Sequence, residues 1–356
     1  MIQDSLIDII KNGSVGFPLT KAYKNGHRFY TDFVEMINFF KNRLLSKDYR
    51  NLENKILSGC SYVDGQSYLQ CMSELVVLYF VMRKLDKYES FKYEPKYNGG
   101  YNPECSFVYA GKTVNVEVKC PHMGKRMKIE SHDTLKIAFA ERMPNKLFYK
   151  SVIEDFHHII CLDLDNSEYS GIEIIPRMDN KLKDFLEHSQ KKFPSGDDHF
   201  NILVIALEIP QDVDEWYGYL FGSNGAFTHN TYIKTNYDCV DAVLLCTPIC
   251  GLKRWESYSD KNIWYLENTI NLLLLDTRKC YEKSNSELSE KGKFYLEHGI
   301  NMFGDMTSAF LSFQRELDEK NEKEYENLPF KDRYISFKVT EIKIFSEFME
   351  WLDSKH

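Results

Sequence analysis

Residues Asn102–Pro121, NPECSFVYAGKTVNVEVKCP, place two carboxylates and a lysine at spacings that can do chemistry. Side chains of a strand alternate between its two faces. Over Thr113–Lys119, Val114, Val116 and Val118 therefore point into a core, while Thr113, Asn115, Glu117 and Lys119 point the other way. Glu117 and Lys119 then share a face, about 6–7 Å apart. A hairpin folded symmetrically about Ala110-Gly111 pairs residues whose numbers sum to 221. Val108 then faces Thr113, Ser106 faces Asn115, and Glu104 faces Glu117. Like charges directly opposed are destabilising. A divalent cation between them reverses the sign, because hard cations such as Mg²⁺ prefer carboxylate oxygen. An odd-length loop would slip the register by one and part the two acids.

Glu74 is a second oddity. It sits in CMSELVVLYFVM, a helical stretch with apolar residues on nearly every side. A lone buried carboxylate is costly unless neutralised or paired. If that helix packs against the hairpin, Glu74, Glu104, Glu117 and Lys119 form an acidic, metal-binding cluster with one lysine. Phosphodiester hydrolysis calls for such a set. Carboxylates hold one or two Mg²⁺ ions (Mn²⁺ can substitute), which polarise the phosphate and lower the pKa of a water. The lysine orients that water and offsets charge developing on phosphorus. The alternative for Glu117 and Lys119 is an ordinary ion pair on a solvated strand face. For Glu74 it is a place at the rim, or beside a nearby lysine.

Glu104, preceded by Pro103 and thirteen positions before Glu117-Val118-Lys119, resembles the motif of the PD-(D/E)XK nuclease superfamily. The resemblance implies a restriction-endonuclease-like core: a helix bearing an acid, a three-strand meander bearing the motif, a crossover helix and a further strand. The chain offers that order over roughly Ser67–Leu164. By resemblance, Glu104 takes the place of the motif's Asp, Glu117 the second acid, Lys119 the lysine and Glu74 the helix acid. It implies Mg²⁺-dependent cleavage of DNA, less often RNA, by a homodimer or with a partner subunit, in bacterial restriction or anti-phage defence. One departure is that the first acid is Glu, longer than Asp by one carbon–carbon bond, about 1.5 Å. Glu94, before Pro95, is a rival for that place on the preceding strand. Lys125, Arg126 and Lys128, near His122 and His132, are candidate contacts to flanking phosphates, although a plain solvated loop also explains them. The alternative function is the same fold without catalysis, as a subunit that binds nucleic acid or a partner protein.

The elements that must position these residues follow from periodicity. Residues 1–60 read as a mostly helical extension, with an apolar stripe of Phe33, Met36, Ile37 and Phe40. After the turn Asp64-Gly65-Gln66, Ser67 is the expected N-cap of a helix over Tyr68–Lys87. Strands are expected at Phe91–Tyr97, Cys105–Tyr109 and Thr113–Lys119. The polar segment Cys120–Lys128 and a helical stretch ending near Phe156 come next. Apolar runs at Ile159–Leu164, Asn201–Ile209 and Val240–Cys246 read as buried strands, with a helix around Asn180–Lys192. The alternation indicates an α/β layer fold with a central mixed sheet flanked by helices. The expected organisation is a nuclease-like core over 61–275 and a mainly helical region over 276–356. That region includes the charged run Arg315–Glu326 and the amphipathic segment Glu341–Trp351.

The 356 residues carry 45 Lys and Arg against 53 Asp and Glu, a formal net charge of −8. This excludes a chain held to nucleic acid by bulk charge alone. No apolar run approaches the roughly 20 residues of a membrane span, and the N-terminus lacks the apolar core of a secretory signal. Nine cysteines without a framework read as reduced thiols in a cytoplasmic protein. Cys246 and Cys250, with Cys239 upstream, lack a second pair for zinc. His157-His158 point apart in an extended chain. Asp163 and Asp165 share a face and carry little weight. Gly222-Ser223-Asn224-Gly225 lacks the lysine of a phosphate-binding loop, and no serine-hydrolase elbow is present.

Overall fold

A computed structural model describes residues 6–13, 17–61, 65–85, 90–97, 102–122, 135–137, 155, 172–174, 178–222, 225–228, 237–280, 287–303, 306–307, 309–310, 312 and 351. Helices α1 (Leu6–Lys11) and α2 (Pro18–Lys24) lead into α3 (Arg28–Arg43) and α4 (Ser46–Ser61). In α3, Phe29, Phe33, Met36, Ile37 and Phe40 recur every three or four residues, so one stripe is buried. Trp264 holds that stripe: its ring stacks on Phe29 at 4.8 Å, and its indole N–H donates to the Phe29 carbonyl at 3.0 Å.

Helix α5 (Gln66–Lys84) is apolar nearly all round and buries the whole run Cys71–Met82. It begins before the expected cap, Ser67. Gly65 takes the capping position at φ 65°, a left-handed backbone that glycine adopts without a Cβ clash.

Strand β1 (Lys92–Tyr93) is shorter than expected, because Glu94 turns to φ 41° and Pro95 follows. Strands β2 (Cys105–Tyr109) and β3 (Lys112–Lys119) form the expected hairpin in the expected register, with Ser106 opposite Asn115 and Val108 opposite Thr113. Its two-residue loop has φ 45° at Ala110 and 80° at Gly111. Positive φ at both positions suits the twist of a tight hairpin. The segment after Lys128, expected as helix, contains β4 (Leu135–Ile137), parallel to β5 (Ile172–Ile174) in a small separate sheet. Three residues of apolar–polar alternation satisfy a strand period that a longer window averages away. Helix α6 (Asp179–Lys192) precedes β6 (His199–Ala206), which lies parallel to β3 with Glu117 opposite Leu203. The strand beside β3 is thus β6, inside the expected core of 61–275 but beyond Ser67–Leu164, where the superfamily's element order was expected; the expected strand Ile159–Leu164 lies outside the described residues.

Helix α7 (Pro210–Phe221) follows, then β7 (Ala242–Cys246), parallel to β6. Helix α8 (Pro248–Lys253) leads to β8 (Asn271–Leu275), antiparallel to β7. Strand β8 was not expected; NLLLL is too short for periodicity to separate strand from helix. The result is an α/β fold with a six-stranded mixed sheet in the order β1-β2-β3-β6-β7-β8. One sheet face, with Phe107, Val114, Val116, Val118 and Val204, packs on α3, α4 and α5 in a single apolar cluster. The other, with Leu203, Ile205, Val243 and Leu245, packs on α6 and α7 through Leu186 and Trp216. No described helix is long and apolar enough to cross a membrane.

A buried polar network ties the strand starts together. The Asn115 amide donates to Asn201 Oδ1 at 2.7 Å, and Asn201 N donates to Asp241 Oδ2 at 2.9 Å. Asp241 is fully buried and holds Lys279 at 2.9 Å and Lys291 at 2.7 Å. Removing one partner of such a pair strands the remaining charge. Asp241→Ala is expected to lower unfolding free energy by about 3–5 kcal/mol in urea denaturation; a loss under about 1 kcal/mol would show that these lysines find solvent instead.

Candidate active site

Five elements deliver side chains to the C-terminal end of β3. Alternation along β3 turns Glu117 away from Val116 and Val118 and toward α6. There it is fully buried, not on a solvated face. Its Oε1 meets Lys119 Nζ at 2.6 Å and Lys192 Nζ, from the last turn of α6, at 2.7 Å. Both its carboxylate oxygens are buried and accept no hydrogen bond from the described residues, and the two lysines meet Oε1 as ion pairs. An oxygen so placed suits a further cation.

Glu104 stands one residue before β2, where its amide donates to the Val116 carbonyl at 2.9 Å. Glu74 comes from α5. Both are buried, 6% and 5% exposed. They converge on Lys55 of α4, whose Nζ lies 2.5 Å from Glu104 Oε2 and 2.7 Å from Glu74 Oε2. Glu94 reaches the same ammonium at 3.2 Å. Glu94 and Glu104, rivals for one role in the sequence, therefore share a partner. Gln70, one turn before Glu74, fastens α5 to the end of β3. Its Nε2 donates to Glu74 and, at 3.1 Å, to the Val118 carbonyl, while its Oε1 accepts from Cys120 N at 2.7 Å. Gln66 adds a bond to the Cys120 carbonyl at 3.1 Å.

The electrostatics follow from burial. Desolvation, then the neighbouring Glu104 charge, pushes Glu74 up to about 7 against the pull of Lys55 and Gln70. The same two causes raise Glu117 against Lys119 and Lys192. Burial alone would lower Lys55, but Glu104 and Glu74 reverse it and hold the ammonium well above its ordinary value. Glu104 acts on both Glu74 and Glu117, so it is the link between the two halves of the site.

The structure thus brings Glu74 and Glu104 together through Lys55, and Glu117 together with Lys119. Lys125, Arg126 and Lys128 lie outside the described residues, as do His132, His157-His158, Asp163 and Asp165. Lys55, Lys192 and Gln70 escaped the sequence reading. The polar spacing Gln66, Gln70, Glu74 on an apolar helix was a usable signal, since residues four apart share a helix face. Lys55 and Lys192 carry no such mark; each is one lysine in a polar amphipathic helix. Carboxylate oxygens are the right donors for Mg²⁺, and the bare Glu117 Oε2 fits one. As they stand, no three of the described His, Cys, Asp and Glu side chains are gathered as metal ligands; lysines hold the acids instead. Cys246 is a buried strand thiol, and Cys239 and Cys250 are free.

A cavity of about 200 Å³ lies beyond the ends of β6 and β7, lined by Glu208, Thr247, Pro248, Tyr258, Asn262 and Thr269 among others. Glu74, Glu104, Glu117 and Lys119 are not among its lining residues. Comparison with protein-family models, curated proteins and solved structures finds no match to this chain.

A pH dependence follows. Between its ordinary value of 4.5 and about 7, Glu74 binds more protons in the folded state than in the unfolded one. Stability must then fall as pH rises through that window. In urea denaturation with a chelator present, Glu74→Gln is expected to shrink the stability difference between pH 5 and pH 8. An unchanged difference would assign the slope to other groups, Glu117 first.

Proposed function

We propose that this chain is a metal-dependent nuclease with a restriction-endonuclease-like core, hydrolysing phosphodiester bonds in DNA. What supports this reading is that Glu74 and Glu104 share Lys55 while Glu117 pairs with Lys119 at the end of β3, with the Glu104 charge acting on both Glu74 and Glu117. The element order also supports it: an acid-bearing helix, a meander, a crossover containing a helix, and a strand parallel to the motif strand. In this reading Glu104 and Glu117 hold Mg²⁺, with Glu74 behind them. When bound, the ion supplies Lewis acidity and a water of lowered pKa.

The chain's own residues do the rest. Lys119 sits two residues past Glu117 on the strand, orients the attacking water and offsets charge growing on the phosphate. Lys119 and Lys192 both oppose the burial that raises Glu117. Gln70 fixes Glu74 and the end of β3 against one another, so the acids and the lysine keep their spacing. Lys125, Arg126 and Lys128 are the candidate contacts to flanking phosphates. A homodimer or a partner subunit would cut the second strand. Restriction or anti-phage defence in a bacterial cytoplasm is the setting this chemistry suits by analogy with the superfamily.

A second reading has its own support. Lys55, Lys119 and Lys192 already neutralise most of the buried acid charge, as in a nuclease fold kept only to bind nucleic acid or a partner protein. Plasmid cleavage with and without Mg²⁺ separates the two. Glu117→Ala and Lys119→Ala are each expected to lower the rate at least about 100-fold, with circular dichroism and elution volume unchanged. Equal nicking by wild type and both variants would remove the nuclease reading; no nicking by purified wild type on duplex or single-stranded substrates would favour the binding subunit.

A further inference from the structure

We propose that Lys55 is an intramolecular stand-in for the divalent cation, and that metal entry displaces it from Glu74, Glu94 and Glu104. The inference rests on the metal-dependent reading above and adds a residue that the motif does not contain. Three carboxylates from three parts of the chain converge on one ammonium, at 2.5, 2.7 and 3.2 Å. An ammonium has three N–H donors, so this clasp is complete. It also leaves no three acids free to gather around an ion.

The geometry makes the two cations exclusive. Mg²⁺–oxygen distances are about 2.0–2.1 Å, shorter than any of the three contacts to Nζ, so the oxygens must close in on the space the ammonium fills. Charge makes the same demand. Counted as formal charges with every group ionised, Glu74, Glu94, Glu104 and Glu117 give four negative and Lys55, Lys119 and Lys192 three positive. Adding a divalent ion turns a net −1 into +1 unless one lysine leaves. Lys119 and Lys192 both engage Glu117 Oε1 and leave Oε2 bare, so neither stands in the way. Among the described residues, Lys55 is the one cation paired with both Glu74 and Glu104. It is also able to leave, since its side chain is 30% exposed and borders solvent. Because Lys55 belongs to α4, metal occupancy is coupled to a helix N-terminal to the motif-bearing core.

The test is Mn²⁺ binding to the full chain by calorimetry and electron paramagnetic resonance, for wild type, Lys55→Gln, Lys55→Arg and Glu117→Gln. Lys55→Gln removes the competing charge and is expected to bind Mn²⁺ at least about tenfold more tightly, a shift well outside titration error. Lys55→Arg keeps the charge and should bind like wild type. In chelator, Lys55→Gln should melt lower than wild type and recover with Mn²⁺, as binding to the folded state requires. Equal or weaker binding by Lys55→Gln, with Glu117→Gln impaired, overturns this inference and leaves the metal reading standing. Equal tightening by Lys55→Gln and Lys55→Arg overturns it too, since charge is then irrelevant. No Mn²⁺ binding by any of the proteins overturns both readings. If Lys55→Gln does not fold without metal, Glu94→Gln decides: it loosens the clasp at the most exposed of its three acids, 33% exposed, and should tighten Mn²⁺ binding, and unchanged or weaker binding overturns the proposal.

Discussion

Carboxylates taken out of water need compensating charge, and the structure around β3 is arranged to supply it. Glu74, Glu104 and Glu117 are each at most 6% exposed. The cost of burying an ionised carboxylate without a partner is several kcal/mol, a large share of the stability of an ordinary domain. Each acid therefore requires its lysine, and each lysine comes from an element that must be packed in place to deliver it. Lys55 requires α4 against α5, and Lys192 requires α6 over the sheet. The site is in this sense a summary of the fold: loosening any of these helices leaves a carboxylate unpaired.

Strand β3 carries two polar systems with opposite characters. Asn115, near its start, joins a network with Asn201 and Asp241 whose named donors and acceptors find partners. Such a network rigidifies and sets register. Two residues further on, neither oxygen of Glu117 accepts a hydrogen bond from the described residues, and two lysines meet its Oε1 as ion pairs. The first arrangement is complete within the chain. The second has capacity left over, and that asymmetry marks the end of β3, rather than its start, as the place for chemistry.

The hairpin register was legible because both of its determinants are local. Ala110-Gly111 specifies a two-residue turn, and the valine alternation specifies which face is inward; together they place Ser106 against Asn115 and Val108 against Thr113. The strand β6 and helix α6 were legible for the same reason, as an unbroken apolar run and a helical period. The short strands β4 and β8 were not, since three to five residues are compatible with either periodicity. The length of β1 was set by the left-handed turn at Glu94, which no pattern announces.

The sequence by itself determined the α/β class, the pairing of the motif hairpin, and the unusual presence of Glu74 on an apolar helix. Each depends on residues close together in the chain, where side-chain alternation and helical period act directly. Only the tertiary structure decided that Lys55 and Lys192 hold these acids, and that Glu117 is buried beneath α6 instead of facing solvent. Those facts depend on which surfaces meet across 19 to 75 positions of chain. A lysine in a polar helix looks the same whether its neighbour in space is water or a buried carboxylate.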